Sequence, residues 1–163
     1  MNGVKDLLRV LHSGEEHLAK EFATVADRHR TDHEVRHVAM DLAAWSREHT
    51  RRLAEAAQAY DLDLDPSGEP HTGLLSELGR KTAEAVGRRP EPALLLLRDL
   101  RDLHLAAAGN SLYWEMVAQA GQATRQEGLL DLAAQCHPRT LRQMRWTNTM
   151  IKTLSPQVLT SLR

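Results

Sequence analysis

Residues 4–25, VKDLLRVLHSGEEHLAKEFATV, carry the pattern that decides the fold. Apolar side chains recur there every three or four residues, which is the spacing of one face of an α-helix. The apolar stripe consists of Val4, Leu8, Leu11, Leu18, Phe22 and Val25, and Glu15 interrupts it near its middle. We expect a helix from about Val4 to Arg30 that packs its apolar stripe against other helices.

Three further segments repeat this pattern. The predicted helices cover about residues 31–60, 92–121 and 124–155. Thr31 with Glu34, and Thr124 with Glu127, have the spacing of a capping box, which predicts a helix start at each place. Pro156 follows Ser155 and predicts the end of the fourth helix.

The composition agrees with an all-α fold. The chain has 163 residues, of which 26 are Leu and 21 are Ala, against 9 Val and Ile together. Few β-branched residues favour helices over sheets. This length suits a single domain over residues 1–163. A formal net charge of −1 gives no reason to expect nucleic acid as a partner.

Two absences in the sequence guide the expected location. No apolar run is long enough for a membrane span, and we expect no membrane association. Cys136 is the only cysteine, which excludes an intramolecular disulfide and favours a reducing compartment, so we expect a cytoplasmic protein. We expect the Cys136 thiol to be buried and inert.

The connections between the predicted helices differ in length. Those between the first and second helices and between the third and fourth are short, whereas about 30 residues separate the second from the third. That long connection contains a loop at 61–70 and a predicted short amphipathic helix from about Leu74 to Val86. Two antiparallel hairpins joined by one long crossover form a four-helix bundle.

One polar residue interrupts each apolar stripe near the middle of its helix. These residues are Glu15, His49, Asn110 and His137, the last within a stripe through Leu130, Ala134, Leu141, Met144, Asn148 and Ile151. If the hairpins pack with their midpoints aligned, the four residues share one layer of the core. Gly14, Gly109 and Pro138 each lie next to this layer, which suggests close approach or widening of the backbone there.

The polar layer has two interpretations. Imidazole and carboxylate groups that face inward are the ligands of metal sites in helical bundles. Alternatively, the four groups bond to one another and only fix how the helices align. We keep both interpretations open.

Three segments resemble the ferritin-like superfamily, nearest to its YciF-like branch of stress-associated bacterial bundles. They are Trp45–Leu53 (WSREHTRRL), Leu74–Val86 and Leu103–Tyr113 (LHLAAAGNSLY). The resemblance implies a ferritin-like bundle, a homodimer, and a core site for iron or another divalent transition metal. No reaction follows from it.

The resemblance also implies a ligand pattern, from which this chain departs. Members that bind two metals carry a carboxylate on the first and third helices and Glu-x-x-His on the second and fourth. Here Glu15 or Glu16 can serve on the first helix, and Glu48 and His49 stand side by side on the second. Asn110 replaces the acid of the third helix, and His137 lacks a Glu three residues earlier. We therefore expect a reduced or vestigial metal site formed by Glu15, Glu16, His49, Asn110 and His137.

Two alternatives remain. One is a non-enzymatic helical interaction module without metal. The other is a hemerythrin-like di-iron protein, suggested by the spacing of His33 and His37, although an exposed helix end explains that pair as well. We also expect His12 and His17 to lie on a solvated flank of the first helix.

Overall fold

The computed structural model describes residues 2–68 and 91–161. Over these residues the chain forms four long α-helices and no β-strand: α1 (Asn2–Arg28), α2 (His33–Ala57), α3 (Pro92–Thr124) and α4 (Glu127–Ser161). A short 3₁₀ turn, Gln58–Tyr60, follows α2. The predicted all-α class is confirmed. The predicted crossover helix Leu74–Val86 lies outside the described residues.

Neither predicted capping box forms. Asp32, rather than Thr31, is the N-cap of α2, because its carboxylate accepts a hydrogen bond from the backbone N of Val35 at 3.2 Å. Thr124 is the last residue of α3, and its hydroxyl donates to the carbonyl of Ala120 at 2.6 Å instead of capping α4.

The predicted end of α4 at Pro156 is wrong, because α4 continues to Ser161 and contains both Pro138 and Pro156. A proline inside a helix leaves the carbonyl four residues earlier without its partner. Both prolines, and residues 134 and 152 that carry the freed carbonyls, are exposed, where water can bond to those carbonyls. Val158 is buried and anchors the additional turns.

The helices pack in four neighbouring pairs. α1 contacts α2 and α3, and α4 contacts α3 and α2. At one end, Asp99 of α3 is buried and joins α1 to α3. Its carboxylate accepts hydrogen bonds from Arg28 Nη1 at 2.7 and 2.8 Å, and from His29 Nε2 at 2.8 Å. None of the described helices has the length and apolar character needed to cross a membrane.

Buried polar residues divide the core into two apolar clusters. Cluster I contains Leu18, Phe22, Val25, Val35, Leu42, Leu96, Leu100, Leu103, Ala107 and Met150. Cluster II contains Val4, Leu8, Leu11, Leu53, Trp114, Val117, Leu129, Leu132 and Cys136. On every helix the division falls at a buried polar side chain. We call these side chains the polar layer: Glu15, Ser46, His49, Asn110, Thr140 and Gln143.

The buried face of α4 differs from the predicted stripe by one residue. The structure buries Leu129, Leu132, Ala133, Cys136, Thr140, Gln143, Thr147 and Met150. Leu141, which the apolar pattern predicts to face the core, is 46% exposed. The inward positions of α4 are mostly polar in its middle, so the apolar residues lie on the flank.

Candidate functional site

Glu15 is the central residue of the polar layer. It lies between Leu11 of cluster II and Leu18 of cluster I on the single apolar face of α1, and its exposed fraction is 0%. Helical spacing alone therefore directs the carboxylate into the core. A buried carboxylate is costly unless hydrogen-bond donors or a positive charge compensate it.

Two aromatic rings contact the Glu15 carboxylate. Trp114 Nε1 of α3 donates a hydrogen bond to Oε1 at 3.0 Å. His49 Nδ1 of α2 lies 3.2 Å from Oε2, within ion-pair distance, and His49 is 1% exposed. The two rings meet edge to face with centroids 5.7 Å apart. One tryptophan donor and one histidine thus surround the carboxylate.

The contact between His49 and Glu15 has the distance of an ion pair but not the geometry of a hydrogen bond. Glu15 Oε2 and both ring nitrogens of His49 lack a hydrogen-bond partner in the described part of the chain. The carboxylate and the imidazole therefore face each other in the closed core, with one carboxylate oxygen and both ring nitrogens left without a hydrogen-bond partner among the described residues.

Asn110 lies directly against the backbone of α1. A Cβ built on Gly14 would overlap Asn110 Oδ1, so a larger residue at position 14 would displace the Asn110 amide. Asn110 is buried, and its Nδ2 has no hydrogen-bond partner among the residues that the structure describes. The predicted close approach at Gly14 is confirmed, whereas Gly109 has open space around it.

Glu16 faces away from Glu15 and pairs with His12. His12 Nδ1 lies 2.7 Å from Glu16 Oε1, and His12 Nε2 lies 2.6 Å from the carbonyl oxygen of Asp65. His12 is 4% exposed, so the prediction that it lies on a solvated flank is wrong. The loop after α2 covers it, and loop carbonyls of this kind leave no signal in a helical pattern. His17, by contrast, is exposed as predicted.

His137 lies on the flank of α4 and not in its buried face. It is half-buried, and its Nε2 lies 2.8 Å from Ser111 Oγ of α3. The neighbouring residues of α4 that face the core are Cys136 and Thr140, and Gln143, six residues after His137, is also fully buried. Gln143 Nε2 donates to the carbonyl of Leu42 at 3.0 Å and to Ser46 Oγ at 2.9 Å. Continuing the spacing of Leu129 and Cys136 would have found it.

Cys136 belongs to cluster II and lies next to the polar layer. Its thiol is buried, and burial together with the nearby Glu15 carboxylate raises the pKa of the thiol to about 12. The thiolate is therefore strongly disfavoured, which agrees with the prediction of an inert thiol.

Glu48, the neighbour of His49, lies at the surface. Hydrogen bonds from Arg51 lower the pKa of Glu48 to about 2, and Arg52 adds to this effect against the opposing effect of partial burial. Arg51 Nη2 donates to Glu48 Oε1 at 2.6 Å. Glu48 therefore belongs to a surface network of charges and does not contribute to the core.

The donor set does not fit the di-metal pattern of the resemblance. Within residues 2–68 and 91–161, no three His, Cys, Asp or Glu side chains lie close enough together to hold a metal ion. The structure brings Glu15 and His49 together and engages Glu16 and His137 elsewhere. His33 and His37 are both exposed, so they do not form the inward pair that a hemerythrin needs.

Comparisons with protein families, curated proteins and solved structures give no match to this chain.

Proposed function

We propose that this chain is a ferritin-like bundle in which a buried ion pair stands where a metal centre would lie. In this proposal the protein is a non-enzymatic helical module, and its metal site is vestigial. The observation that carries it is the compensation of the Glu15 carboxylate by Trp114 Nε1 and His49, at 3.0 and 3.2 Å.

Contacts between the helices support a ferritin-like order. Two contacts join α1 to α3, Arg28–Asp99 and Glu15–Trp114. From the first to the second, the residue number decreases along α1 and increases along α3, so these two helices are antiparallel. The contacts of α4 with α2 and α3 behave in the same way. The pairs are Leu42–Gln143 and Arg52–Gln135, and His104–Thr147 and Ser111–His137. Because neighbouring helices run in opposite directions, α2 and α3 are parallel to each other, as they are in a ferritin-like bundle.

Metal content and chelator sensitivity test the proposal. We expect no stoichiometric iron or zinc in protein purified from metal-supplemented cells, measured by plasma mass spectrometry. His49→Ala should lower the free energy of unfolding by about 3–5 kcal/mol, because it leaves Glu15 uncompensated. His49→Gln, which keeps a donor, should recover part of this loss, and exposed His33→Ala serves as the control. The loss should be equal with and without chelator.

A mononuclear metal site is the second candidate. Glu15 Oε2 and His49 Nε2 are buried without hydrogen-bond partners in the described ranges, and both atoms are potential ligands. One metal ion per chain that His49→Ala removes would establish this candidate and overturn the ion-pair proposal.

A homodimer and a cytoplasmic, stress-associated role remain proposals from the resemblance. Exposed apolar residues on the outer face of α3, Leu105, Leu112 and Met116, are consistent with self-association. Sedimentation at micromolar concentration should give twice the 18.3 kDa mass of one chain. A monomer under these conditions would rule out the dimer.

A further inference from the structure

A groove of about 390 Å³ runs along the surface between α1 and α2. It lies beside cluster I and shares no residue with the polar layer. Its floor includes Ala26 and Ala43, which are 3% and 1% exposed, together with Met40, which is 52% exposed. Because alanines occupy the seam between the helices, the floor is recessed and apolar. The groove has the volume of a small-molecule site.

Three arginines line the groove. Arg30 belongs to the turn after α1, and Arg36 and Arg47 to α2. Arg36 and Arg47 are separated by 11 residues, or about 16 Å along the helix. Positive charge therefore lies at both ends of an apolar floor.

These arginines have little compensation from carboxylates. Asp27 is the acidic residue of the groove, and its Oδ1 lies 3.8 Å from Arg30 Nη1, with both side chains well exposed. Within the ranges that the structure describes, Arg36 and Arg47 have no carboxylate at ion-pair distance. Other arginines do have such partners, for example Arg28 with Asp99 and Arg51 with Glu48. The groove thus has an excess of two positive charges.

We propose that this groove binds an organic anion with an apolar body. Its carboxylate, or another acidic group, pairs with Arg30 and Arg36, and its apolar part lies on Met40 and Ala43. Guanidinium groups bind carboxylates through paired, charge-assisted hydrogen bonds. The recessed floor removes apolar surface of the ligand from water. Both the arginines and the apolar floor are needed to predict this ligand class. A simple anion would not contact the floor, and an uncharged hydrocarbon would not pair with the arginines.

Calorimetric titration of the full chain with laurate, inorganic phosphate and decanol tests the ligand class. Laurate should bind at one site per chain, and phosphate and decanol at least tenfold more weakly. Phosphate binding as tight as that of laurate would overturn the proposal, and so would equal binding of decanol. A membrane could supply the same combination of an acidic group and an apolar chain. Vesicles of phosphatidylglycerol test this alternative, and we expect the protein not to bind them.

Two matched double variants test the place of binding. Arg30→Gln with Arg36→Gln should weaken laurate binding roughly tenfold or more, because the charged hydrogen bonds to the carboxylate are lost. Arg142→Gln with Arg145→Gln removes the same charge from exposed positions of α4 and should change binding less than twofold. All four residues are exposed, so both variants should keep the helical circular dichroism of the parent. Equal weakening in both variants would overturn the proposal.

Methyl resonances locate the ligand directly. With ¹³C-labelled methionine methyl groups, laurate should shift the Met40 signal and leave those of Met116 and Met150 in place. Met116 lies on the outer face of α3, and Met150 lies in cluster I. A laurate-induced shift confined to Met116 would place the binding elsewhere and overturn the proposal.

Discussion

Gln143 of α4 donates its side-chain amide to the main-chain carbonyl of Leu42 on α2, 3.0 Å away in the fully buried core. The same Nε2 also bonds to Ser46 Oγ, whereas Gln143 Oε1 has no partner among the described residues. One side chain therefore links α2 to α4 across the polar layer at the cost of one unsatisfied oxygen.

Substitution of Gln143 separates packing from hydrogen bonding. Gln143→Ala should lower the free energy of unfolding by about 2–4 kcal/mol, because it removes two hydrogen bonds and leaves a cavity. Gln143→Met keeps the volume and removes the unsatisfied oxygen, so it should cost less than about 1.5 kcal/mol. Urea unfolding measures both values, with exposed Gln119→Ala as the control. An equal loss in the two variants would show that the hydrogen bonds dominate.

Gly14 and Gly109 should respond in opposite directions to alanine. In an open helical position such as Gly109, alanine should stabilise the protein by about 0.5–1 kcal/mol. At Gly14 the added Cβ overlaps Asn110 Oδ1, so alanine should destabilise the protein by about 1–3 kcal/mol.

A double-mutant cycle checks the cause of the Gly14 effect. In the background of Asn110→Ala, Gly14→Ala should lose most of its cost, because the overlapping amide is gone. If Gly14→Ala remains equally destabilising in that background, the contact with Asn110 is not the cause.

Removing Asp99 should lower the stability of the protein more than removing its partner Arg28. Asp99→Ala leaves His29 buried beside Arg28 without an anion and should cost about 3–5 kcal/mol. Arg28 is 38% exposed at its side chain, so Arg28→Gln should cost no more than about 1 kcal/mol. Thermal unfolding of the two variants gives the comparison. Similar losses in both would show that Arg28 contributes as much as a fully buried partner.

The raised pKa of Cys136 predicts a loss of stability in alkaline solution. The pKa of the thiol is near 9.0 when the chain is unfolded, and burial raises it to about 12 when the chain is folded. Stability is therefore complete below pH 9 and falls as the pH rises from 9 toward 12, by at most about 1.4 kcal/mol per unit. The difference in unfolding free energy between the parent and Cys136→Ala should follow this slope. If this difference in unfolding free energy did not change with pH, the raised pKa of Cys136 would be contradicted.

How far the sequence predicts the structure differs between α1 and α4. On α1 every apolar residue of the predicted stripe is buried, so periodicity correctly places Glu15 in the core. On α4 two stripes run side by side, one residue apart. Periodicity selects the apolar stripe through Leu141, but the structure buries the stripe through Gln143. Partners on α2 decide between them, and a single-helix pattern contains no information about those partners.

The same limit applies to His12 and His137. Residues outside their own helix decide their positions, namely the Asp65 carbonyl and the Ser111 hydroxyl. The hydrophobic pattern finds the helices and much of the core. It cannot find which polar atoms meet across the bundle.

The division of the core into clusters I and II gives the molecule two ends with separate apolar cores. Side chains in one cluster have little stabilising contact with those in the other, because the polar layer lies between the two clusters. Amide hydrogen exchange in the native state should then resolve two cooperative units, each opening without the other. Fraying that begins beyond Trp114 would stop at the layer, and the end around Phe22 would stay closed.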